Sequence, residues 1–530
     1  VKAEDNKPNI LFVMADQLRA DYLGCNGHPT IKTLTIDWLA ERGINFSKAY
    51  CQAPVCGPSR MSFYTGRYAS SHGASYNSVP LKISELTLGD YLRPQGYRVA
   101  LVGKTHMKAD TEAMERLGVD PASSKGVLVS QCGFEPYWRD DGLHPDQSAS
   151  ADLEYNQYLQ EQGYDGDNPW HGWSNSGEDP ASGEIKSGWY LRNSHLPARV
   201  REELSETAYT TDRAMHFISE CRDKPWCLHV SYIKPHWPYI APEPFHNMYG
   251  IDDLLPHNAH PNERKDPHPV VKAFMAHRES QAFSSQEVRE RVIPVYMGLI
   301  SQIDHHLKRL FDHLKETGQD KNTVIVFTSD HGDYLGDHWL GEKELFHEAS
   351  ARIPLIIYDP RCGADRTRGT ISDHLVEAID LVPTFTELAG AAPANHQVEG
   401  RSLIDLITGD ISSSEQWRQY AVSETDYAWR GARKTLGLSP DQSKAVMITD
   451  GRWKYIHYEH FSPQLFDLET DPCEFDDIAM TEPGQEVCKR MEKALFLWFR
   501  QRKTRVTMSD DTVEALTDNA HQRGYLFGFW

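Results

Sequence analysis

The chain has 530 residues, too many for one simple core, so one large domain with a smaller one is expected. Apolar residues make up 39% and charged residues 25%, an ordinary globular balance, and no apolar run approaches the ~20 residues of a membrane span. A net charge of −21 argues against nucleic acid or an anionic membrane surface as partner, since both require basic patches, and it obliges any site for an anion to carry its own local cations.

Pro8-Asn9 leads into Ile10 to Ala15, a continuous apolar run that suits a parallel strand buried on both faces, and the run stops at Asp16-Gln17. Thr33 to Arg42 has helical spacing, with Leu34, Trp38 and Leu39 on one face and Gly43 at its end. Ile44 to Phe46 is extended again. Cys56-Gly57-Pro58-Ser59-Arg60 follows, running on through Met61 to Tyr64, Thr65 and Gly66. Pro58 fits the first turn of a helix, and Gly66 is free to close it with a left-handed backbone. Cys56 then sits at a helix N-terminus, which favours an anion, with Arg60 one turn on. Read alone, the stretch fits a buried cysteine on a capped helix equally well.

Thr87 to Arg93 reads as a short helix with Thr87 as N-cap. Tyr97 to Val102 is a second strand, stopping at Gly103-Lys104-Thr105-His106. Residues 108–196 are polar and rich in Gly, Asp, Ser and Trp, and read as an insertion with little regular structure. Thr207 to Cys221 is helical. Trp226 to Tyr232 is a third strand, ending at Lys234-Pro235-His236. Residues 241–277 are rich in Pro and His; His257, His260, His268 and His277 lack metal spacing and read as loop residues. Both segments are expected to shape the pocket. Val295 to Leu314 is an amphipathic helix, on which His305, His306 and His313 read as surface residues.

Thr323 to Phe327 is a fourth strand, stopping at Ser329-Asp330-His331-Gly332, and Arg352 to Tyr358 a fifth, with Lys343 and His347 between them. Strands alternating with helices imply an α/β fold with a mostly parallel sheet. Composition shifts around residues 389–399, which divides the chain into a catalytic domain over 1–395 and a smaller α+β domain over 396–530. In the second, Ala445 to Thr449, Trp453 to Tyr458 and Gln464 to Asp467 read as antiparallel strands, Asp450-Gly451 as a hairpin turn and Cys488 to Arg500 as a closing helix. Nine cysteines without finger spacing read as reduced; a disulfide between Cys221 and Cys227 is a bare guess. The start at Val1-Lys2-Ala3-Glu4, with no signal-like segment, leaves cytoplasmic and periplasmic locations both open.

Four of these strands end in polar residues: Asp16-Gln17, Lys104 with His106, Lys234 with His236, and Asp330-His331. In a parallel sheet all four groups project from one edge, where α/β folds bind ligands.

Cys56, Pro58, Ser59, Arg60, Thr65 and Gly66 fall at the spacing of the type I sulfatase motif, and nearly the whole chain resembles that family of the alkaline-phosphatase-like superfamily. Its layout is similar to the branch of phosphonate monoester hydrolases and aryl- and choline-sulfatases. The resemblance implies that Cys56 becomes formylglycine, made by a formylglycine-generating enzyme or an equivalent maturase. It implies sulfate-ester hydrolysis through a covalent sulfo-enzyme intermediate, on a small-molecule or saccharide substrate. One divalent metal would be held by Asp16, Gln17, Asp330, His331 and residue 56. The resemblance puts calcium first, and the imidazole brings in manganese. Relatives often carry Asp and Asn where Gln17 and His331 stand. By resemblance His236 is the general acid beside Lys343, and His106 takes the proton when sulfate leaves. Lys104, Lys343 and Arg60 hold anionic oxygens, and Asn77 is a weaker substrate contact. The alternatives are a phosphonate monoester or phosphodiester hydrolase on the same site, which the Lys104 and His106 pair disfavours, and a metal-binding protein with Cys56 unconverted. The aromatic end Tyr525 to Trp530 is expected to pack on a neighbouring subunit of a dimer or tetramer.

Overall fold

The computed structural model describes residues 7–145, 152–411 and 416–528. Its centre is an eight-stranded mixed sheet. The strands are β1 (Asn9–Asp16), β2 (Ile44–Phe46), β3 (Arg98–Gly103), β4 (Glu135–Arg139), β5 (Trp226–Pro235), β6 (Thr323–Ser329), β7 (Leu355–Tyr358) and β8 (Thr370–Ser372). They lie in the order β8-β2-β7-β6-β1-β5-β3-β4. From β6 to β4 the strands are parallel. β7 runs antiparallel to both its neighbours, and β8 is parallel to β2. β1, β5 and β6 are buried along their whole length, as their unbroken apolar runs require.

Alternate residues of β1 feed two separate cores. Leu11, Val13 and Ala15 face a layer built by α1 (Leu34–Arg42), α3 (Glu206–Glu220) and α4 (Gln286–Glu316). Ile10, Phe12 and Met14 face α2 (Cys56–Thr65) and α5 (Leu381–Leu388). A second sheet, antiparallel in chain order, comprises β9 (Ala421–Asp426), β10 (Lys444–Thr449), β11 (Trp453–Tyr458) and β12 (Gln464–Asp467). One of its faces takes Met491, Leu495 and Trp498 of α6 (Glu482–Arg500). The other packs on Tyr50, Tyr334 and Phe346 of the larger part.

Several expectations need correction. Leu34 is exposed, and α1 instead buries Ile36, Leu39 and Ala40. Residues 108–196 are not a mere insertion: they supply β4, an edge strand whose Pro136 hides the usual apolar signal. Pro354 splits the expected fifth strand. Arg352–Ile353 pairs with Ala49–Tyr50 in a separate small sheet, and only β7 joins the main one. α4 starts nine residues before Val295 and runs straight through Pro294, the residue that suggests a break. His306 is buried against Glu202 at 2.6 Å rather than at the surface. All nine cysteines are free, Cys221 and Cys227 included. No helix among the described residues is long and apolar enough to cross a membrane. Tyr525, Leu526 and Phe527, expected to pack on a neighbouring subunit, are exposed in the single chain, and Phe529 and Trp530 lie outside the described residues.

One buried carboxylate makes the fold pH-sensitive. Asp304 on α4 accepts the backbone N–H groups of Thr35 and Ile36 at 2.9 and 2.8 Å, at the start of α1. Burial raises its pKa from 3.8 to about 6. A raised folded-state value gives a contribution that is whole below the unfolded pKa and lost as pH climbs through the folded one. Asp304→Asn keeps an acceptor and cannot ionise. Its stability relative to the parent chain is expected to improve by about 2 kcal/mol between about pH 4 and pH 7. Urea unfolding at both pH values checks this, and a constant difference refutes it.

Candidate active site

The parallel strands β1, β3, β5 and β6 open on one edge, and the residues that follow or end them meet there. Asp16 and Gln17 leave β1, Lys104 and His106 follow β3, His236 follows β5, and Asp330 and His331 follow β6. α2 delivers Cys56 from its N-terminus. All ten residues of this helix are buried, and Gly66 ends it at φ 68°. The helix is locked at both ends of its first turn. Ser59 Oγ donates to the Asp330 carbonyl at 2.6 Å. Asn77 Oδ1 accepts the Gly57 N–H at 2.8 Å, and a Cβ on Gly57 would stand 2.9 Å from Asn77 Cα. This close approach is why glycine follows the cysteine.

Cys56 Sγ lies 3.1 Å from His331 Nε2, 3.3 Å from Lys343 Nζ and 3.9 Å from Asp16 Oδ1. Asp16, Cys56, Asp330 and His331 each offer a donor atom, and these atoms lie within 4.8 Å of one another, all on buried residues. Two carboxylates, an imidazole and the residue-56 side chain fit one divalent cation. Gln17 stands beside the set at φ 63°, with its amide N–H near Asp333 Oδ2 and its Oε1 accepting from Lys343 Nζ at 2.7 Å. The Lys343 ammonium only donates, so it decides which way the Gln17 amide faces.

The charges are strongly coupled. Burial alone would raise the Cys56 thiol, but Lys343, Lys104 and His331 hold it well below its ordinary value. Burial and Cys56 push Asp16 up, but Lys104, 2.6 Å away, His236 and Arg60 outweigh them. Burial would strip the proton from Lys343, but Cys56 and Glu342 hold it charged. His236 behaves oppositely: burial, reinforced by Lys104, pushes it down to about 3. Its Nδ1 lies 2.8 Å from the Trp237 carbonyl. A neutral ring bonded there carries its proton on Nδ1 and leaves Nε2 as an acceptor.

Two residues differ from their expected placing. Arg60 does not face outward to an anion. Its Nε donates to Asp330 at 2.8 Å, Nη2 to Asp16 at 3.0 Å, and Nη1 to the Lys104 carbonyl and Ser231 Oγ, both at 2.8 Å. It is a buried brace between the two carboxylates. Lys234 turns away to the Pro238 carbonyl at 2.9 Å and Glu206 at 3.5 Å, where it braces the turn that carries His236. Sequence reading missed Asp141 and Asp333. Asp141, held by Arg139 at 2.7 Å, accepts the backbone N–H of His106 at 2.9 Å, while the ring Nδ1 of His106 is buried without a partner. Asp333 was within reach, three residues past Asp330 in the same loop.

This edge gathers two lysines, the Cys56 side chain and the imidazoles of His106, His236 and His331 around buried carboxylates. That is the equipment of an α/β hydrolase of anionic esters. Within that class the chain belongs to the sulfatase family, the sulfuric ester hydrolases: the family model described as Sulfatase matches residues 8–391. A second model, for the C-terminal part of N-sulphoglucosamine sulphohydrolase, matches residues 336–501. The chain is 32% identical to the multifunctional alkaline phosphatase superfamily protein PehA of Trinickia caryophylli, over 89% of this chain and 91% of that one. It is 29% identical to an arylsulfatase of Clostridium perfringens, over 92% and 94% of the two chains. It is 28% identical to a choline-sulfatase of Rhizobium meliloti, over 90% and 83%. Among solved structures, the phosphonate monoester hydrolase of Silicibacter pomeroyi superposes with a TM-score of 0.82 at 27% identity, covering 94% of this chain and 97% of that one. That of Agrobacterium radiobacter gives 0.78 at 26% identity, covering 93% and 96%.

Proposed function

We propose that the protein hydrolyses sulfate esters with Cys56 matured to formylglycine, through a covalent sulfo-enzyme intermediate and with one divalent cation, calcium before manganese. The observation that carries this reading is the seat of Cys56: a helix N-terminus within 4 Å of Asp16, His331 and Lys343, in a chain matched by the sulfatase model. Asp16, Asp330, His331 and residue 56 would hold the cation, with Gln17 beside them, and the cation would make a hydroxyl on residue 56 acidic enough to attack near neutral pH. Lys104 and Lys343 meet the anionic oxygens. Arg60 acts through Asp16 and Asp330, and Asn77 through α2. His236 protonates the leaving alcohol, and His106 takes up the proton released on sulfate departure. An anion arriving beside neutral His236 raises its pKa, so proton uptake accompanies substrate binding. A maturase is the implied protein partner.

His236→Ala is expected to slow turnover by roughly 10²–10⁴-fold for an unactivated alcohol and far less for an activated phenol. Equal losses for both would remove His236 from that role.

A second reading, a phosphonate monoester or phosphodiester hydrolase on the same residues, is favoured by the two phosphonate monoester hydrolase neighbours. Measuring kcat/KM for an aryl sulfate, a phosphonate monoester and a phosphodiester side by side decides between them. The sulfate reading falls if either phosphorus ester is the best substrate. The mass of the tryptic peptide that holds Cys56 tests conversion, because thiol and aldehyde differ in mass.

The exposed apolar Tyr525, Leu526 and Phe527 support a homo-oligomer in which this end of the chain packs on a neighbour. Deleting residues 525–530 is expected to give a smaller species in sedimentation, and an unchanged mass sinks the idea.

A further inference from the structure

We infer that Tyr76 and Trp429 form the seat for the alcohol part of the ester, and that this seat takes a flat aryl alcohol; the inference rests on the sulfate-ester reading above. Neither residue belongs to the chemistry already described, but both are tied to it. Tyr76 precedes Asn77, whose side chain caps α2 beside Cys56. The Tyr76 hydroxyl donates to Glu344 Oε1 at 2.8 Å, and Glu344 follows Lys343, which touches Cys56 Sγ. Trp429 then stacks on Tyr76, with ring centroids 5.9 Å apart and planes 11° from parallel. It remains 57% exposed, so the stack leaves part of a large indole open next to Tyr76.

The slab is held rigidly. Arg430, next to Trp429, pairs with Glu344 Oε2 at 2.9 Å and also with Glu279. Ser75 Oγ donates to Asp426 Oδ2 at 2.8 Å, a second tie between the two segments. Glu344 has φ 90°, a conformation that a residue with a side chain adopts only where its surroundings impose it. Here the Pro54 carbonyl, Tyr76 and Arg430 do so. Such strain collects where a ligand must meet a fixed surface.

The polar atoms around the slab answer to one another: Tyr76 to Glu344, Glu344 to Arg430, and Arg430 to Glu279. The exposed part of the slab is the Trp429 indole. An aromatic ring needs only that, by offset stacking, whereas a saccharide would need partners for its hydroxyls.

Trp429→Ala is expected to raise KM for 4-nitrophenyl sulfate about tenfold while kcat holds, with Trp429→Phe restoring much of the loss. A short alkyl sulfate should show no change. Free 4-nitrophenol should quench tryptophan fluorescence of the Cys56→Ala protein, and the quenching should vanish when Trp429→Ala is added. An equal effect of Trp429→Ala on aryl and alkyl esters, quenching that survives it, or a parent-enzyme preference for a saccharide sulfate would each overturn the inference. If no sulfate ester is turned over at all, the sulfate reading fails, and the phenol titration still reports on the seat separately.

Discussion

Cys56→Ala is expected to give a folded protein with no sulfatase turnover. The thiol is one buried atom in a frame that other groups maintain: Arg60 spans Asp16 and Asp330, Ser59 ties α2 to β6, and Asn77 caps the helix. Removing the sulfur leaves these bonds in place, so circular dichroism and the unfolding midpoint should barely move. The chemistry, by contrast, has no substitute. Cys56→Ser separates the two halves of the reaction: an oxygen nucleophile restored without an aldehyde gives an ester that must wait for water. It should release about one equivalent of alcohol and then stall. More than a trace of steady turnover by a clean alanine variant would rule out the aldehyde mechanism.

The second large effect belongs to the carboxylates. Asp16→Ala and Asp330→Ala are each expected to lower metal occupancy and activity together, since both side chains supply donors to the same 4.8 Å cluster. Each also breaks one of the two buried ion pairs of Arg60 and leaves the other in place, so the stability loss stays below the about 3–5 kcal/mol of a fully uncompensated charge. Asp16→Asn and Asp330→Asn keep the shape and separate metal loss from unfolding. Elemental analysis of the folded double variant is the check. Full occupancy there would mean that the ligands are misassigned.

The parts of this site that could be read from the chain are those announced by strand ends. An apolar run that halts at Asp16, Lys104, His236 or Asp330 records both the strand and the residue at its edge. β4 and β9 are less legible because one contains proline and the other alternates small and charged residues. The direction of a side chain is less legible still. Sequence places Arg60 near an anion, but only packing shows that its named donors all go to protein atoms. The pairing of Tyr76 with Trp429 leaves no local trace, because the two meet only when the second sheet closes against the first part of the chain.

The complete burial of α2 has a consequence for the proposed maturation of Cys56. Cys56 is 1% exposed, and no residue of its helix reaches the surface. A modifying enzyme must take the cysteine and its neighbours into its own cleft, and the finished fold offers no such strand of chain. On the proposed reading, conversion would belong to the nascent or unfolded polypeptide, and folding would close the window. A batch folded without the maturase should remain in the thiol form when the maturase is added later, and should convert only after being unfolded in its presence.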